Sequence, residues 1–196
     1  MPPENSDWWV YWAYYVLAVV LVAGSYTDLR YEKIYNWITL PAVLVGLAGH
    51  AVVGGLAGQG QLQLGLSGSA AGLAVGFLPL MVAWLAGGIG GGDAKLMGAV
   101  GALTGWQFTL AAMMYGFAVA AVMAVAVMIA RRVTRDTLRR MWRSLVLIVK
   151  ARQAMDPATP QSPKIPFGLA LCIGSGIALI ELLFRGPVAS KLLLGW

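Results

Sequence analysis

Of the eight acidic residues in the chain, two stand where surface solvation does not account for them. Asp28 follows a long apolar run and Asp93 precedes another. The other six have ordinary explanations. Glu4 and Asp7 lie in a polar N-terminal stretch, and Asp136 and Asp156 in a basic one. Glu32 has Arg30 and Lys33 beside it, and Glu181 has Arg185 four positions on, a favourable helical order. Ionisable groups at membrane depth are expensive and therefore functional candidates. Two carboxylates brought into one low-dielectric site do not both ionise readily, so one keeps a proton and the other stays charged. The charged member can activate water against a peptide carbonyl while the protonated one polarises the carbonyl oxygen. Titration then belongs to the pair rather than to either residue. That chemistry needs no metal, no cofactor and no covalent intermediate. Cys172 and His50, the single cysteine and the single histidine, support neither a disulfide framework nor a Cys/His zinc site. Both read as packing residues within or at the end of apolar runs.

The residues before Asp93 are Gly87-Gly88-Ile89-Gly90-Gly91-Gly92, too rich in glycine for a helix interior. Without side chains, Gly90, Gly91 and Gly92 let a substrate strand approach the backbone and permit positive φ. The same residues read equally well as a turn followed by an aspartate that caps the next helix. A phosphate-binding loop is a poor match, since no Gly-Lys-Ser/Thr is present and no strand precedes the glycines. Lys95, two residues on, either screens the carboxylates or meets lipid headgroups.

The elements that must position these groups follow from composition. The 196 residues are 59% apolar and 11% charged, with a mean hydropathy of +0.74, far from a water-soluble domain. The chain reads as one all-α, polytopic transmembrane domain over residues 1–196, with about six membrane helices at roughly 20 residues per span. The apolar segments cover about 8–25, 37–53, 64–87, 94–103, 107–130 and 166–184, with Thr104-Gly105-Trp106 ending the short fourth one. The net charge of +6 does not signal nucleic acid, because the basic residues collect between apolar segments. With six spans and the N-terminus outside, 12 of the 14 basic residues fall on the cytoplasmic side. Asp28 and Asp93 then share the cytoplasmic face. The polar N-terminal segment lacks the basic residues of a cleavable signal, so the first apolar run reads as a retained span. The loop at about 131–164 is basic. Within it, residues 133–152 have apolar residues at helical spacing and suit a helix lying on anionic lipid or docking an acidic partner. A Pro-rich linker, Asp156 to Pro163, follows it.

Several motifs together carry a resemblance. Gly90-Gly91-Gly92-Asp93 matches the Gly-x-Gly-Asp motif of intramembrane aspartyl proteases, and Asp93-Ala94-Lys95-Leu96 extends it as in the prepilin peptidases. Asp28-Leu29-Arg30, with Ile34-Tyr35-Asn36 beyond it, resembles that family's first catalytic aspartate and the Ile-Pro-Asn that follows, Tyr35 replacing the usual proline. Pro166-Phe167-Gly168 resembles a Pro-Tyr/Phe-Gly motif at the start of the last span. The chain is thus similar to prepilin peptidases (type IV leader peptidases), over about residues 24–180. The resemblance implies Asp28 and Asp93 as catalytic residues. It also implies a substrate-facing set of Gly90, Gly91, Gly92, Lys95, Asn36, Pro166, Phe167 and Gly168, although the last three are equally well explained as a helix start. The implied reaction is removal of the short basic leader of a type IV prepilin or prepilin-like protein, typically after a glycine, at the cytoplasmic face. The implied setting is a bacterial inner membrane with a pilus or secretion system. The chain lacks the cysteine-rich insertion that accompanies N-methyltransferase activity in larger members, so it resembles short peptidase-only forms such as those of tight-adherence pili.

Three other readings were open. A non-catalytic assembly subunit would be expected to have lost an aspartate, and both are present. A transporter would place its acids near the midplane and show internal repeats, and neither is found. An archaeal-type preflagellin peptidase shares the dyad logic and the compact size. Substrate identity and oligomeric state are not encoded legibly in the sequence.

Overall fold

A computed structural model of the chain describes residues 12–57, 64–130 and 166–185. The basic loop and its amphipathic segment lie outside these residues. Among the described residues every regular element is a helix: α1 (Trp12–Tyr31), α2 (Asn36–Gly54), α3 (Gly65–Leu85), α4 (Gly91–Ala130) and α5 (Phe167–Arg185). All five are long and apolar enough to cross a bilayer, and the protein is a multi-pass membrane protein. It forms two compact units, Met1–Val119 with Pro166–Trp196, and Ala120–Ile165. The described part of the second unit is the closing stretch of α4, residues 120–130.

The core of the first unit is the opening arm of α4, residues 91–104, with Leu96, Met97, Ala99, Val100, Ala102 and Leu103 almost fully buried. A helix that is apolar on every side is one surrounded by others. Glycines let those others come close. A β-carbon built on Gly72 of α3 would lie 2.1 Å from the Gly101 carbonyl oxygen, and one on Gly76 equally close to that of Met97. On α2, a β-carbon at Gly46 would lie 2.7 Å from the Ala102 oxygen. These are small-residue contacts of the kind that drive helix association where lipid removes the hydrophobic difference.

At Gly105 the arm ends, with φ 80° and ψ 173° inside α4. The chain doubles back there. Gly72 faces Gly101 and Gly105 together, and one turn along α3 Gly76 faces Met97 and Thr109. Moving along α3 thus retreats along the first arm and advances along the second. The sequence reading counts six apolar segments and places a break at this site. The break is present: the fourth and fifth segments meet at the non-helical Gly105, and with α4 taken as one element the described residues hold five candidate spans.

Irregular backbone within a membrane needs internal partners, and a helix end leaves its last carbonyls without intrahelical donors. Neighbouring helices supply them here. Ser69 Oγ of α3 donates to Ala102 O at 2.6 Å, and His50 Nε2 of α2 to Leu103 O at 2.8 Å. Thr104 Oγ1 adds a bond to Val100 O at 2.7 Å. His50, expected only to pack, is therefore a polar clamp, its ring tilted against that of Trp12.

On the far side, α5 packs on the second arm of α4. A β-carbon on Gly174 would fall 2.2 Å from Gly116 N. Glu181 accepts a 2.5 Å hydrogen bond from the Tyr115 hydroxyl; the Arg185 side chain with which it was expected to pair lies outside the described residues.

Candidate active site

Asp28 sits in the last turn of α1, not in the polar link expected after Ser25. Residues 25–31 hold neither glycine nor proline, so the helix continues past the end of the apolar run. It stops where Glu32 takes φ 51°, its N–H returning to Asp28 O at 2.9 Å, an ending by a left-handed residue. The extra turn carries Asp28 into the bundle, where 7% of its surface is exposed.

Asp93 is the third residue of α4. The glycine run before it is a turn only in part: α3 ends at Leu85 and Gly87 takes φ 79°, but α4 already begins at Gly91, and none of Gly90, Gly91 and Gly92 takes a positive φ. The Asp93 N–H bonds to Gly90 O at 3.2 Å. Its carboxylate lies against Gly90, where a β-carbon would meet Oδ2 at 3.1 Å. Asp93 is also 7% exposed.

The two carboxyl groups meet at the start of α5. A β-carbon placed on Gly168 would lie 2.9 Å from Asp28 Cγ, 2.9 Å from Asp93 Oδ1 and 2.7 Å from Ile34 Cδ1. One empty position is thus bordered by both acids. Next to it, the Leu169 backbone N–H donates to Asp28 Oδ2 at 2.7 Å. That amide belongs to the first turn of α5, where N–H groups lack intrahelical partners and the helix dipole favours an anion. Pro166-Phe167-Gly168 is thus the start of a helix, and that start borders the carboxylates. Phe167 itself stacks on Phe117 of α4, the ring centroids 6.1 Å apart.

The remaining sequence candidates fall around this point with different neighbours. Gly91 and Gly92 are close-packed against the protein's own side chains, a β-carbon at Gly91 meeting Trp84 Nε1 at 3.2 Å and one at Gly92 meeting Ile34 Cβ at 3.1 Å. Lys95 donates to Asn36 Oδ1 at 2.9 Å, on the exposed surface. This bond ties the first residue of α2 to the first turns of α4. Two participants were not among the site residues chosen from the sequence, the Leu169 amide and the Ile34 side chain, the latter seen there only as part of a motif. The proline at 166 was the available signal for the first, because a proline-initiated helix offers free amides just beyond it.

The model of the type IV leader peptidase family matches residues 15–125, more than half of the chain and inclusive of both aspartates. The chain belongs to the type IV leader peptidase family. It is similar to the prepilin leader peptidase/N-methyltransferase of Xanthomonas campestris pv. campestris, with 31% identity over 169 residues. The match covers 83% of this chain and 47% of that relative, so the chain spans about half the length of the curated protein it matches. No solved structure gives a significant match. The matched region ends before α5, so the structure, not the family match, brings Gly168 and Leu169 to the aspartates.

Proposed function

We propose that this protein is an aspartyl endopeptidase that removes the basic leader of type IV prepilins or prepilin-like proteins, with Asp28 and Asp93 as its catalytic pair. The observation that carries the reading is the convergence of the two carboxyl groups, each 2.9 Å from the same vacant point beside Gly168. Groups so placed in a site nearly closed to solvent suit the sharing of one proton. In the proposed reaction the ionised carboxylate takes a proton from water as the water oxygen attacks the scissile carbonyl carbon. The protonated partner gives its proton to the carbonyl oxygen, and the resulting tetrahedral diol collapses with proton transfer to the leaving amine. The Leu169 amide keeps Asp28 oriented through a charge-assisted bond.

The same reading puts the carboxylates at the cytoplasmic face of a bacterial inner membrane, with the N-terminus outside and each arm of α4 passing through the bilayer. The positive-inside count supports that orientation. The known relative combines peptidase and methyltransferase in its name; we propose peptidase activity alone for this chain, whose sequence has a single cysteine.

The test is cleavage of a candidate prepilin in membranes by wild type, Asp28→Ala, Asp93→Ala and the control Glu32→Ala. Both aspartate variants should insert normally and lose cleavage, with the control still cutting. Wild-type cleavage by either aspartate variant would overturn the two-carboxylate mechanism.

A further inference from the structure

Ile34 occupies a place that neither the dyad chemistry nor the family match assigns to it. It sits on the link between α1, which carries Asp28, and α2. Its Cβ and backbone oxygen lie 3.1 and 3.3 Å from where a β-carbon on Gly92 would be, next in sequence to Asp93. Its Cδ1 reaches the vacant position of Gly168, next in sequence to the Leu169 amide that holds Asp28. Ile34 is thus packed beside Gly92, which precedes Asp93, and beside Gly168, which precedes the amide that holds Asp28.

We infer that Ile34 and Gly168 are positioning residues that set the separation of the Asp28 and Asp93 carboxyl groups, Ile34 as a wedge and Gly168 as the gap that receives it. The inference deepens the peptidase reading and rests on it for its catalytic meaning. The physical case is steric. Non-bonded contacts of a real β-carbon at 2.7–2.9 Å are prohibitive, so an alanine at 168 forces something to move. Asp28 cannot retreat without losing its 2.7 Å bond to Leu169. Asp93 is the third residue of a helix whose following turns are buried. Ile34 closes the third side, its Cδ1 2.7 Å from the same point and its Cβ packed against Gly92. Alanine at 168 therefore spreads the carboxylates, and trimming Ile34 to valine, which removes Cδ1, gives back part of the space. Because alanine is a better helix former than glycine, a loss of activity here would not reflect a weaker helix.

The experiment measures kcat and KM for prepilin cleavage by Gly168→Ala, Ile34→Val and their combination, with Gly176→Ala as control. Gly176 lies on the same helix with nothing within 4 Å of its β-carbon position. Gly168→Ala should lower kcat about 100-fold, the scale of a misplacement near 1 Å, with KM little changed. Adding Ile34→Val should restore about tenfold, the coupling expected of residues in contact, and Gly176→Ala should match wild type. A wild-type kcat for Gly168→Ala, or no rescue by Ile34→Val, overturns the inference. A readout independent of activity is oxidative cross-linking of Asp28→Cys/Asp93→Cys in a Cys172→Ala background. Its yield should fall severalfold when Gly168→Ala is added and recover with Ile34→Val. Unchanged yield overturns the spacing role, whereas the expected yields with no prepilin cut by wild type overturn the peptidase reading and leave the spacing role standing.

Discussion

The two ends of the buried arm of α4 are built from similar parts and used differently. Both end at glycine, both are met by neighbouring helices, and both bring polar groups into an apolar setting. At the Gly105 end side chains satisfy main-chain carbonyls: Ser69 and His50 bond those of Ala102 and Leu103, and Thr104 bonds that of Val100. At the Asp93 end two acids face one gap, and one of them is steadied by a backbone amide from a third helix. One end spends its polarity on holding the break. The other brings like charges together, a costly arrangement that is stable only if protons or substrate share it. Such an end can be tolerated because the opposite end and the glycine-lined flank of α3 hold the arm in place.

Substitutions can test whether the two ends separate in this way. The largest effect should come from the flank. Gly101→Leu would drive a side chain into the Gly72 backbone, whose oxygen lies 2.0 Å from the β-carbon position. The folded protein should be lost, as seen by protease resistance in membranes, because both contacting atoms are main chain. The next effect belongs to the acidic end. Leu169→Pro removes the N–H given to Asp28, at a first-turn position where proline is tolerated, and Leu169→Ala controls for the lost side chain. Losing a hydrogen bond to a charged group, about 1.5–3 kcal/mol, should slow cleavage roughly 10- to 100-fold without loss of folded protein. His50→Ala should do the opposite, costing about 1–3 kcal/mol of stability by orphaning a buried carbonyl. Its kcat per folded molecule should remain that of wild type, and a large fall in kcat would show that the two ends are coupled. The smallest effect is expected for Lys95→Ala, which breaks an exposed bond to Asn36. A change in KM of less than about threefold is expected, as for other exposed polar pairs.

Much of this comparison was legible in the sequence, and the part that was not has a physical reason. Thr104-Gly105-Trp106 announced the break, because a glycine flanked by polar and aromatic residues ends an apolar run whatever surrounds it. The run before Asp93 likewise announced a turn. The reach of α1 through Asp28 was hidden, since hydropathy falls at Ser25 while nothing in residues 25–31 stops a helix. His50 looked like filler because its partner, the Leu103 carbonyl, is 53 positions away and a carbonyl has no sequence signature. Asp28 and Asp93 could be chosen as candidates by elimination, whereas Gly168 was a candidate only through the Pro-Phe-Gly resemblance, and its place beside both acids had no signal. Only the arrival of α5 at the same end of the bundle places it between them.

The central claim is that Asp28 and Asp93 act as one unit, and a double-variant comparison tests it most directly. Prepilin cleavage would be followed for Asp28→Asn, Asp93→Asn and the variant carrying both, each normalised to inserted protein. Groups that act together are strongly non-additive, so each single variant should lose essentially all cleavage and the double variant should be no slower. If the singles each retain measurable rates and their losses multiply in the double, the acids work independently and the shared-proton account is wrong.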